Sequence, residues 1–163
     1  MKLGIDTERT GALIRSTWGR LSPLPGGKRM FSKLIGTLAP YTGTIDPLVV
    51  ELAPGHAGVE LEDRRRVRNH LRSGHAIALM NLAEVATGLA ISAGLPDDAR
   101  GILAGLSIEY LKKARGRLVA ECDCEVPSDS ERREYAVEGV IRDRDGDVVA
   151  RATARWLIGP RRR

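Results

Sequence analysis

One carboxylate, Glu84, stands in the middle of a long apolar stretch. From Ala76 to Ala93 it is the single charged side chain, in a segment that otherwise reads as buried helix. Burying an unpaired carboxylate is costly, or else raises its pKa until it holds a proton. Such a residue is either half of a structural pair or placed for acid–base or nucleophilic chemistry. Polar residues near it in sequence are Asn69, His70, His75, Asn81 and Thr87. His75 and Glu84 are nine residues apart, about 900° of helix, so they face opposite ways in one chain. They are expected to meet only across two antiparallel copies.

The elements that must position these residues follow from periodicity. Residues 8–20 read as a short helix with Leu13, Ile14 and Trp18 on its apolar side, ended by Ser22–Gly27. A second helix follows, with Met30, Phe31, Leu34, Ile35 and Leu38 at helical spacing and Lys28, Arg29 and Lys33 elsewhere. The basic residues read as a solvated face. Two strands are expected over roughly 44–53 and 57–68, joined through Pro54-Gly55, and then the apolar helix from near Gly74 to Gly94-Leu95-Pro96.

Four strands are expected after it. In Arg117–Val126, Leu118, Ala120, Cys122, Cys124 and Val126 share one face. In the last strand Val148, Ala150, Ala152, Ala154, Trp156 and Ile158 do the same, and Asp145-Gly146 marks the preceding hairpin. Period-two alternation predicts an antiparallel sheet with one covered face. The pattern is therefore α+β, one sheet wrapped around a single long helix. The helix is apolar nearly all round, so its outer side must also be covered, most economically by a second copy.

Composition narrows the function classes. At 163 residues, 42% hydrophobic and 29% charged, the chain suits one folded domain rather than a disordered segment. Of its net charge of +5, three charges are the terminal Arg161, Arg162 and Arg163, so the remainder is only mildly basic. No basic stripe interleaved with aromatics is present, which argues against a nucleic-acid partner. Gly26-Gly27-Lys28 is not a phosphate-binding loop, because the earlier glycine is missing and Arg29 stands where Ser or Thr is required.

Cys122 and Cys124 have no second pair to complete a zinc site, and a disulfide two residues apart on a straight strand is strained. They read as small buried thiols of a cytoplasmic protein, and no metal is expected. The N-terminus lacks the apolar core of a signal peptide. The Ala76–Ala93 run approaches membrane-span length but carries Asn81, Glu84, Thr87 and Ser92, so no membrane span is expected.

Asn69, His75 and Glu84 resemble, at the same spacing, the motif of hotdog-fold acyl-CoA thioesterases of the phenylacetyl-CoA type. That motif is an Asn, a His six residues on that opens the central helix, and an Asp or Glu nine residues further. Residues 107–126 look like the family's third and fourth strands, and residues 140–156 look like its closing hairpin. The resemblance covers roughly 44–159 and implies a hotdog domain there, with 1–43 as an N-terminal helical extension and 160–163 as a basic tail.

The resemblance further implies hydrolysis of an acyl-CoA or acyl-carrier thioester without a cofactor, in a homodimer or dimer of dimers. Glu84 is expected to act as general base on water or as nucleophile. Asn69 would orient the water or the substrate carbonyl. His75 and the Ala76 N–H, from the other subunit, would stabilise the oxyanion. Thr87 would hydrogen-bond the water, and Lys112, Lys113 and Arg115 would meet the coenzyme's phosphates. One departure stands out. The family has His-Gly-Gly where this chain has His75-Ala76-Ile77. Ile77 narrows the approach to the Ala76 N–H, which resembles a branch mostly of undefined function. The alternative is a non-catalytic hotdog protein that binds acyl thioesters.

Overall fold

The computed structural model describes residues 10–161. Within them, helices α1 (Thr10–Leu21), α2 (Gly27–Leu38) and α3 (Pro40–Gly43) come first. Strands β1 (Leu48–Ala53) and β2 (His56–Leu61) follow, then a 3-10 turn at Arg65–Val67 and helix α4 (Ala76–Gly94). Strands β3 (Ala99–Tyr110), β4 (Leu118–Asp123), β5 (Arg133–Asp143) and β6 (Val148–Pro160) close the chain. The strands form one antiparallel sheet in the order β1-β2-β4-β5-β6-β3. This is the hotdog arrangement, a sheet curled around α4.

The alternation read from sequence fixes which faces meet. Ala150, Ala152, Ala154 and Ile158 of β6 are buried, as are Leu118, Ala120 and Cys122 of β4. Against them lie Leu82, Ala83, Ala86, Ala90 and Ile91 of α4, which are fully buried. Alanines on both sides let helix and sheet approach closely. α4 is long and apolar enough to cross a membrane by length alone, but 67% of it is buried inside this protein, where it forms the core. Gly146 takes φ 86° at the β5–β6 turn, a conformation glycine adopts without steric cost.

Three expectations change. The first two strands are shorter than read, because Asp46 sits at φ 49° ahead of Pro47 and delays the first. Residues after Leu61 leave the sheet, held by an Arg68–Asp63 ion pair and by Arg64 on Asp46. The strand expected to run to Val126 ends at Asp123. The outer side of α4 is covered in large part by α1, α2 and α3 of the same chain rather than by a second copy. Ile14 of α1 and Phe31 of α2 belong to the same core cluster as the sheet and α4.

Specific polar contacts hold these N-terminal helices in place. Arg15 of α1 donates to the carbonyls of Ala93 and Leu95, 3.1 and 3.0 Å away, where the C-terminal end of α4 leaves acceptors unpaired. Asn81 Nδ2 of α4 donates to the Tyr41 carbonyl of α3 at 3.2 Å. The Ser32 hydroxyl of α2 accepts from the Val49 N–H of β1 at 2.8 Å. Trp18 and Phe31 pack edge to face between α1 and α2, 5.1 Å apart. Residues 8–9 of the first expected helix, the N-terminal residues judged for a signal peptide, and Arg162 and Arg163 of the tail lie outside the described residues. Arg161 is tied back, its N–H to Asp98 O and its guanidinium to Asp97 O.

Candidate functional site

Glu84 opens on a cavity of about 320 Å³ between α4 and the N-terminal helices. Leu13 and Ile14 of α1 and Phe31, Leu34 and Ile35 of α2 form one wall; Val85, Gly88 and Leu89 of α4 form the other. Trp156 reaches it from β6, and Glu84 is the charged residue among those lining it. The carboxylate is half-buried, and among the described residues no hydrogen bond or ion pair reaches it. Burial pushes its pKa above the usual carboxylate range. An unpaired carboxylate in an apolar cavity can take a proton from water or attack a carbonyl carbon.

The other motif residues gather elsewhere. Asn69 Oδ1 accepts from the N–H groups of Leu71 (2.9 Å) and Ser73 (3.2 Å) and from the Ser73 hydroxyl, closing the turn before α4. His75 is the N-cap of α4, its Nδ1 accepting from the Ile77 N–H at 3.1 Å. Ala76 is the first helical residue, so its N–H has no partner within the helix. Asn69, Ala76, Lys112 and Lys113 line a second cavity of about 350 Å³ at this helix start. Tyr110 also lines it, its hydroxyl donating to the Ala76 carbonyl at 2.9 Å. From His75 to Glu84 is about 13.5 Å along the helix at 1.5 Å per residue. One chain therefore keeps the carboxylate and the helix-start groups in separate cavities.

Two candidates are placed differently from their expected roles. Thr87 is fully buried, its hydroxyl donating to the Ala83 carbonyl at 2.9 Å. Its methyl faces Gly139 of β5, so Thr87 points toward the sheet, away from the Glu84 cavity. Lys112 bridges Asp143 (2.9 Å) and Asp147, and these carboxylates raise its pKa. The same ion pair holds the Asp143 carboxyl below its usual range. Lys113 and Arg115 are exposed.

Sequence reasoning did not identify Gly88, Trp156 or Tyr110, nor the N-terminal helices as a wall for Glu84. One signal was available: Trp156 is the single bulky aromatic on a β6 face of alanines, and needs space opposite it.

The model of a family described as a domain of unknown function, DUF4442, matches residues 27–158. A structural-genomics crystal structure that carries no functional name is 34% identical, covering 91% of this chain and 99% of its own, with a TM-score of 0.78. A Pseudomonas aeruginosa protein of unknown function, described as a probable thioesterase, is 21% identical, covering 84% and 97%, with a TM-score of 0.68. A Haemophilus influenzae thioesterase is 13% identical, covering 78% and 90%, with a TM-score of 0.67. The last two likenesses establish a shared fold, that of thioesterase-family hotdog proteins. No curated protein matches the chain.

Proposed function

The chain belongs to the DUF4442 family, a domain of unknown function; from its site we propose that it hydrolyses an acyl thioester carried on coenzyme A or an acyl carrier. The observation that carries this reading is Glu84, unpaired and half-buried against an apolar cavity. As general base, the carboxylate takes a proton from water while the oxygen attacks the thioester carbonyl. The C–S bond then breaks, and the thiolate leaves with that proton. As nucleophile, it attacks the thioester carbonyl and expels the thiolate to form an acyl anhydride; water hydrolyses the anhydride, and the thiolate takes one of that water's protons. In ¹⁸O-water under single turnover, label in the Glu84 carboxyl marks an anhydride opened by water at its glutamyl carbonyl, an outcome the general-base route does not give.

The oxyanion donors in this reading are His75 and the Ala76 N–H of a second copy, with Asn69 orienting the substrate. The separation of the two cavities in one chain supports the need for that copy. β3 pairs on one side with β6 and has its other edge open among the described residues. Ile102 on β3 is 52% exposed and Ile77 at the helix start 48%, two apolar side chains available to a homodimer or dimer of dimers. Lys113 and Arg115 are the cations offered to the coenzyme's phosphates, Lys112 being held by its two aspartates. The reaction is assigned to the cytoplasm, in keeping with the free thiols of Cys122 and Cys124.

Ile77 favours a second reading, since its exposed side chain beside Ala76 crowds the approach to the oxyanion position. In that reading the protein holds an acyl thioester without cleaving it. A hydrolysis screen over acyl-CoA chain lengths and aryl-CoAs, with Glu84→Ala as the blank, tests the catalytic reading. Turnover absent in every wild-type reaction would support the binding protein instead, and turnover equal in the blank would overturn Glu84 as the catalytic group.

A further inference from the structure

We propose that the cavity between α4 and the N-terminal helices holds an unbranched aliphatic acyl chain, its thioester end at Glu84 and its methyl end toward Ser92 and α1. The inference rests on the reading of Glu84 as the carboxylate that faces the thioester, and it names the substrate class.

The dimensions point to this occupant. Glu84, Gly88 and Ser92 line the cavity at successive turns of α4, so its length along the helix is about 12 Å at 1.5 Å per residue. An extended alkyl chain advances about 1.25 Å per bond, from a bond of about 1.52 Å and an angle near 111°, so the channel takes about nine or ten carbons. The volume agrees independently. At 320 Å³ the cavity falls at the small end of the range of about 300–1,000 Å³ for small-molecule sites, the size for a short chain rather than for a bulky ring system.

The chemistry of the walls agrees as well. Away from Glu84 they are aliphatic or aromatic, and the polar groups of their side chains are the hydroxyls of Thr17, Thr42 and Ser92 and the indole N–H of Trp156, which is buried without a hydrogen-bond partner. Among the described residues lining it, no cation is offered to a second carboxylate and no side-chain amide to a polar acyl group. At the Ser92 end Gly11 of α1 packs against the Ser92 carbonyl and Arg15 fastens α1 to the end of α4. The N-terminal helices therefore act as a ruler for chain length.

The test uses the intact protein and S-alkyl-CoA thioethers of two to sixteen carbons, which cannot be hydrolysed. Binding is followed by tryptophan fluorescence, since Trp156 lines the cavity, and by the rise in Tm. Affinity should increase about threefold to fourfold per added carbon, to a plateau near ten carbons. Ser92→Leu and Leu13→Phe add bulk to the cavity lining and should each move the plateau to shorter chains. Equal affinity for two and ten carbons would overturn the proposal, as would an unmoved plateau in both variants melting like wild type. A parallel hydrolysis assay keeps the two readings apart. Length-dependent binding without cleavage of any acyl-CoA removes the hydrolase reading and upholds the chain site. Cleavage at equal rates for all lengths, with no binding trend, does the reverse.

Discussion

Gly88 of α4 meets the edge of the Trp156 indole on β6: a Cβ at Gly88 would stand 3.0 Å from the ring's Cζ2 and 3.1 Å from Cη2. The ring can sit over the helix at the cavity wall only because position 88 has no side chain. Gly88→Ala gains about 0.5–1 kcal/mol of helix propensity and asks the ring to move by a few tenths of an ångström, so the Tm should change little. Gly88→Val asks for far more and should destabilise by about 1–3 kcal/mol through overpacking. Denaturant melts on both variants check this. A Gly88→Val protein as stable as wild type would show that the helix does not depend on this approach.

His56 makes stability depend on pH. Its Nδ1 lies 2.7 Å from Asp123 of β4 and its Nε2 lies 3.0 Å from Glu51 of β1, so one ring ties three strands together. The Asp123 carboxylate first, and Glu51 second, raise the imidazole's pKa above its ordinary value. A raised pKa in the folded state means the protonated ring stabilises fully below its unfolded value, about 6.5. That stabilisation is lost as pH rises through the folded value. The Tm difference between wild type and His56→Gln should therefore be largest near pH 5.5–6 and shrink toward pH 9 (rough bounds). A difference that stayed constant with pH would contradict the argument.

Lys112 and Lys113 are adjacent and should behave differently. Lys112→Met strands Asp143, whose side chain is only 7% exposed, with the N–H groups of Asp145 and Asp147 as remaining donors. It should lower the Tm. Lys113→Met should leave the Tm unchanged and raise the KM for acyl-CoA, with the effect fading at high salt. Equal melting losses in the two variants would mean that the Asp143–Asp147 turn does not depend on its lysine.

Much of the fold was legible in the residues because its signals are local and periodic. Alternation in β4 and β6, the Asp145-Gly146 hairpin and the unbroken apolar run of α4 each depend on neighbours in sequence. The strand ends were less legible. Those of β1 and β2 depend on Asp46, whose carboxylate meets Arg64 from eighteen residues away and is held below its usual pKa range by that guanidinium. The prominence of Glu84 could also be read, since one charge in an apolar helix is visible in a string of letters. What covers it could not. The apolar sides of α1 and α2 carry no mark of the surface they pack on, and the Arg15–Ala93 and Asn81–Tyr41 contacts that settle it span long stretches of chain. Thr87 illustrates the limit at one residue: it stands three positions from Glu84, yet the helix turns it onto β5.

Assembly is the expectation drawn from the open edge of β3 and the exposed Ile77 and Ile102. The protein should run as a dimer or larger at micromolar concentration in light scattering, and Ile102→Lys should shift it toward monomer. A 17.7 kDa species for wild type would remove the second copy that the oxyanion donors require.

The central claim is that Glu84 does chemistry, and Glu84→Gln measured for turnover and melting on one preparation tests it most directly. The change keeps the shape and removes the base. The account predicts a fall in single-turnover acyl-CoA hydrolysis of roughly 10²-fold or more, with Tm equal to or above wild type, because burial of an unpaired carboxylate is relieved. A stable Glu84→Gln protein that cleaves acyl-CoA at the wild-type rate would contradict it.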